Sequence, residues 1–165
     1  MSNDIYTPRQ VMAQLVTIML PGTRLVSTSN NILIDDLTAL QKNTTIWPIA
    51  MLEETKQSIA RIAPKAWQTK LTLVCTYYDR WDQQPNTTIS AVWENIDTDL
   101  RIMKANLENN PALIVSGTRY IENIVSTELS PYEGALSQPN KALTFPVAER
   151  SMTILVNLLP FLSAL

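Results

Sequence analysis

The sequence predicts an α/β fold of the α+β kind, in which a mixed or antiparallel sheet is packed by an N-terminal helix and one long amphipathic helix, in a single domain over residues 1–165. Two patterns carry that expectation. From Thr88 to Asn109 the side chains Ile89, Val92, Trp93, Ile96, Leu100, Met103 and Leu107 recur at three- and four-residue steps, the stripe of a helix lying on a sheet. In residues 68–78 and 149–159 apolar residues alternate instead, which is the period of a strand.

The elements follow in order. Val11, Met12, Leu15, Ile18 and Met19 have helical spacing over residues 8–20, with Thr7 as N-cap and Pro8 at the first helical position. Pro21-Gly22 stops that helix. Residues 24–40 read as a short strand or extended run followed by one or two helical turns. Residues 44–54, TTIWPIAMLEE, read as a strand. Pro48 cannot donate to a ladder, so this strand lies at a sheet edge or begins after the proline. The more polar residues 55–68 form a crossing loop or an extended hairpin arm. In the next strand Leu71, Leu73, Cys75 and Tyr77 face one way, and Thr72, Val74, Thr76 and Tyr78 the other, with Tyr77 pointing into the core and Tyr78 out of it. Asn109-Asn110-Pro111 ends the long helix. A strand over 118–129 follows the Gly117 turn, residues 130–146 are a long loop, and Met152, Ile154, Val156 and Leu158 mark the inner face of the last strand.

Composition bounds the function. Hydrophobic residues make up 45% and charged residues 17%, an apolar excess that suits burial against a partner. The net charge of -2 supplies no bulk attraction to nucleic acid or anionic lipid. The sequence contains no histidine, which removes the commonest general base and metal ligand. Its single cysteine, Cys75, sits in mid-strand as an inert core thiol and suits a reducing cytoplasm. The opening MSNDIYTPRQ has no apolar run, and no stretch approaches 18 apolar residues, so neither a signal peptide nor a membrane span is expected. Gly22, Gly117 and Gly134 are isolated and build no phosphate-binding loop. No cofactor is expected.

Two clusters invite chemistry. Asp79 and Asp82, brought together with Glu94 by a turn, would suit a hard cation; the alternative is that the aspartates solubilise a loop near the start of the long helix. Asp97 and Asp99 lie on different sides of that helix and cannot clamp one metal without another element's help. The stretch TYYDRWDQQPN, residues 76–86, concentrates aromatics, aspartates and Arg80. Tyr77 and Trp93 fall on core-facing positions, which leaves Tyr78 and Trp81 for a partner. Tyrosine, tryptophan and arginine favour a protein there over a nucleic acid.

The order of elements resembles the tail terminator, or tail completion, proteins of long-tailed bacteriophages. The resemblance runs from the N-terminal helix with its Pro-Gly stop through IWPIAMLEE, TKLTLVCTYYD, ISAVWENIDTDLRIMKANL and TRYIENIV to SMTILVNLL. It implies an α/β subunit of a homo-oligomer, a hexameric ring that caps the tail tube and joins the head-side connector. Such a protein is a structural component of the virion tail or neck, assembled in the host cytoplasm, with no catalytic residues and no sequence-specific nucleic-acid binding. Its partners are copies of itself, the tail-tube protein and the head-tail connector protein. On this view Tyr78, Arg80, Trp81, Tyr132 and Phe145 make the protein contacts. Another connector or tube component satisfies the same layout, and a carboxylate-dependent metal enzyme built on Asp79, Asp82 and Glu94 is the alternative of a different class.

Overall fold

A computed structural model describes residues 5–25, 32–34, 47–80, 88–130 and 147–162. Helix α1 (Pro8–Met19) begins with a reciprocal cap. The Gln10 amide donates to Thr7 Oγ1 at 3.2 Å and the Thr7 amide donates to the Gln10 side chain at 2.9 Å, so two amides that the helix leaves unpaired are satisfied. Helix α2 (Ile89–Glu108) is capped by Thr88, whose hydroxyl accepts from the Ala91 amide at 3.1 Å. Both expected helices are present within a residue or two of their expected ends.

The main sheet has the order β1 (Ile32–Ile34), β2 (Ile49–Ala63), β3 (Ala66–Arg80), β7 (Val147–Leu158), β6 (Ile121–Leu129). Only β1 runs parallel to its neighbour, so the sheet is mixed. A short strand β8 (Phe161–Leu162) pairs with the start of β3, and β4 (Ile114–Val115) with β5 (Thr118–Arg119) forms a separate small hairpin. Strand β2 begins immediately after Pro48, as the missing proline donor requires. It then continues to Ala63, so residues 55–63 are the first strand of a hairpin arm and not a crossing loop; the tip is Pro64-Lys65.

The helices cover one face of the sheet. Val11, Met12, Leu15 and Met19 of α1 and Val92, Trp93, Ile96, Leu100, Met103 and Leu107 of α2 meet Leu71, Leu73, Cys75 and Tyr77 of β3 and Met152, Ile154, Val156 and Leu158 of β7 in one cluster. Each fully buried leucine or isoleucine there contributes roughly 1.5–3 kcal/mol relative to exposure. The turn after α1 is fastened to α2. Asn106 Nδ2 donates to the Pro21 carbonyl at 2.8 Å, and Gly22 adopts a φ of +82° close to Ile102. Among the described residues, no helix is long and apolar enough to cross a membrane.

Candidate functional site

The alternation that turns Tyr77 inward turns Asp79 inward too, because the two residues share parity on β3. Asp79 and Asp99 are each 1% exposed. Arg24, delivered by the turn after α1, reaches both: its Nη2 donates to Asp79 Oδ2 at 2.7 Å, its backbone amide donates to Asp99 Oδ1 at 3.1 Å, and its Nε lies 3.5 Å from Asp99 Oδ2. The Tyr77 hydroxyl sits between the charges, donating to Asp99 Oδ2 at 2.5 Å and accepting from Arg24 Nη2 at 3.3 Å. Burial of the guanidinium opposes its charge, but the Asp79 hydrogen bond and the surrounding negative groups outweigh that and raise its pKa. Burial, reinforced by the Asp99 charge, holds the Tyr77 hydroxyl protonated far above its ordinary range.

This network ties together α1, β3 and α2, and it changes the standing of the carboxylates. The sequence offered Asp79 as a metal ligand or a solvated loop residue; instead it is buried, with a guanidinium occupying its coordination side. Glu94 is exposed on α2, and Asp82 lies outside the described residues. Among the described residues, no group of three or more acidic or cysteine side chains is placed to hold a metal ion. Asp97 and Asp99 face different neighbours, as their spacing requires. Asp97 receives Arg150 Nη1 at 2.6 Å and Arg101 Nε at 2.8 Å; burial opposes its ionisation, but those two hydrogen bonds bring its pKa below the usual value. Cys75 is fully buried, and burial pushes its thiol up to about 12.

The partner residues expected from sequence fare differently. Tyr78 does turn to the face opposite Tyr77, but it is 5% exposed and therefore not the solvent-facing anchor expected. It stands in register between Ile49 and Glu149, on a row where that second face is itself covered: Ile49 and Met51 are 1% and 2% exposed. Burial, with the charges of Glu149 and Glu53 adding to it, pushes the Tyr78 hydroxyl up to about 12. Arg80 ends β3, in register with Val147, so the strand runs two residues beyond its expected end. Trp81, Tyr132 and Phe145 lie outside the described residues.

The surface that is open lies elsewhere. Glu54–Ala63 of β2 are exposed at every residue, Ile59 and Ile62 by 56% and 50%. Strand β1 pairs only with residues 50–52, so among the described residues the outer edge of β2 beyond them has no ladder partner. A bulge at Thr55, whose hydroxyl donates to the Thr72 carbonyl at 3.2 Å, shifts the parity of β2. Glu53 and Lys56 therefore share the sheet face away from the helices. A groove of about 280 Å³ on that face is lined by Lys56, Ser58, Lys70, Thr72, Leu155 and Asn157 among others.

The arrangement can dock another chain in two ways: by strand addition at the β2 edge and by side-chain contact on the open face. The bulge was not read from sequence, which offered only a sheet edge for the strand of Pro48 and an extended hairpin arm as one of two readings of residues 55–68. Comparison of the chain with protein-family models and with curated proteins found no match.

Proposed function

We propose that the chain is a structural subunit that assembles with copies of itself into a ring, acting as a tail terminator that caps a bacteriophage tail tube and presents a new face to the head-side connector. The observation that carries the self-assembly is the distal half of β2. Ten consecutive residues, Glu54–Ala63, are exposed and are not used by the core of their own chain, and among the described residues nothing pairs with their outer edge, which runs beside exposed Ile59 and Ile62. An edge of this length and apolarity invites pairing unless a neighbour covers it. A head-to-tail neighbour does so for every copy once the ring closes. The resemblance in element order supplies the tail assignment, and the mixed sheet packed on one face by two helices agrees with the fold it implies.

The test is to image particles produced without this protein. Overlong or headless tails support a terminator, and missing tails indicate a tube component. Normal virions overturn both.

A further inference from the structure

Two β-bulges meet at one groove on the open face. On β2 the extra residue is Thr55, and pairing resumes with Lys56 opposite Thr72 and Ser58 opposite Lys70. On β6 the extra residue is Val125, between Ile124 opposite Val156 and Ser126 opposite Leu155. The first bulge puts Lys56 on the face away from the helices, where unbroken alternation from Glu53 would have put Thr55. The second brings Val125, 54% exposed, to line the same groove of about 280 Å³ from its other side. Bulges re-aim single side chains in this way, and two that converge on one hollow set it apart from the rest of the sheet.

The groove has a cationic end and an apolar end. Lys56, Ser58, Lys70 and Thr72 form a block across β2 and β3, with the lysines on one diagonal and the hydroxyls on the other. Side chains on such a diagonal start about 7–8 Å apart, so two flexible lysine stems can bring their ammonium groups to one point between them. Among the described residues no acid lines the groove, neither lysine enters an ion pair, and neither hydroxyl takes part in a hydrogen bond. Two ammonium groups this close repel each other, and a doubly charged oxyanion placed between them replaces that repulsion with attraction to both. Leu155 and Val125 stand one and two strands beyond β3, about 5–10 Å across the sheet.

We infer that this groove binds a small phosphate monoester with an apolar substituent. The phosphoryl dianion sits between Lys56 and Lys70, the Ser58 and Thr72 hydroxyls donate to its oxygens, and the substituent lies against Leu155 and Val125. Lysine serves phosphate as a point charge, and the hydroxyls rotate to suit the oxygens they meet. A carboxylate brings only one charge to two ammonium groups. The backbone of a nucleic acid fits less well because it continues past the groove: the next row of the face holds Glu53 and Glu128 on either side of Val74 and Thr153, within a Debye length of the lysines. The volume lies at the small end for ligand sites, which suits a substituent of about one ring. This site is on the sheet face and not at the outer edge of β2, and it does not rest on the tail assignment.

The test is calorimetric titration of the full chain with phenyl phosphate, inorganic phosphate, benzoate and decathymidylate, above the second phosphate pKa of about 6. Phenyl phosphate is expected to bind once per chain with a Kd below about 1 mM, at least about tenfold tighter than inorganic phosphate or benzoate. Lys56→Gln with Lys70→Gln should weaken it by at least about tenfold. Val125→Ser should remove most of the advantage of phenyl phosphate while leaving inorganic phosphate as it was. The three substituted side chains are exposed, and thermal melts check that each variant folds. The site is overturned if phenyl phosphate fails to bind the wild-type chain at millimolar concentration, if the lysine variant binds it equally well, if Val125→Ser leaves the ratio to inorganic phosphate unchanged, or if benzoate or decathymidylate binds as tightly. None of these results bears on ring formation, which the shape of the purified particle decides separately.

Discussion

Removing one oxygen atom, by Tyr77→Phe, interrogates the buried network with little change in packing. The hydroxyl donates to Asp99 at 2.5 Å and accepts from Arg24 at 3.3 Å, at a site where Asp79 and Asp99 are almost fully enclosed and both meet the Arg24 guanidinium. Phenylalanine keeps the ring in the core, so the loss is one hydrogen bond to a buried charge, about 1.5–3 kcal/mol. Asp99 retains the Arg24 amide at 3.1 Å, which argues for the lower half of that range, about 2 kcal/mol. For a chain of this size that corresponds to a fall in Tm of roughly 4–8 °C. Urea unfolding reads it as a lower midpoint at unchanged slope. The cycle with Asp99→Ala isolates the interaction: once the carboxylate is gone, Tyr77→Phe should cost less than about 0.5 kcal/mol. An equal cost in both backgrounds would show that the tyrosine acts through packing alone, and the reasoning fails.

Alkaline pH should unfold the protein early. The Cys75 and Tyr78 pKa values are both raised to about 12, from ordinary values of 9.0 and 10.0, so the unfolded chain gives up these protons first; stability is intact below the ordinary values and declines as pH rises through about 12. Urea midpoints measured along that range test this, and a flat profile contradicts it. Cys75 should resist thiol reagents in the native state and react at the rate of unfolding, because it is fully buried; reaction within the mixing time would show that the strand is open. Arg150→Ala should cost about 1–3 kcal/mol, since its 13%-exposed side chain holds Asp97 and the Ser130 carbonyl, whereas Arg101→Ala, at 67% exposure, should cost less than about 0.5 kcal/mol. Equal costs in chemical denaturation would contradict that ranking of the two arginines on Asp97.

Local patterns were legible wherever one periodicity ran through an element. The stripe from Val92 to Leu107 and the alternation from Leu71 to Tyr77 place their side chains in the observed core, because burial on one face imposes the period. Asp79 was legible as well, since it continues the parity of Tyr77; chemical type suggested a solvated carboxylate, and parity was the better guide. Arg24 carried no such signal, because it is brought to Asp99 by a turn 75 residues away in sequence. The bulge at Thr55 hid the open face for a related reason. It moves Lys56 and Ser58 to the side that unbroken alternation would have given to Thr55 and Gln57, and nothing local to TKQS announces the extra residue. Tyr78 was misjudged because a second layer of burial, over Ile49 and Met51, covers the far face at that end of the sheet. Opposite to the helices does not mean exposed.

Self-assembly through the edge of β2 is the centre of this account, and an electron-microscopy reconstruction of the purified protein tests it most directly. The account predicts a closed ring in which each neighbour covers the outer edge of Glu54–Ala63 and buries Ile59 and Ile62. A particle of single subunits, or a ring that leaves that edge in solvent, would contradict it.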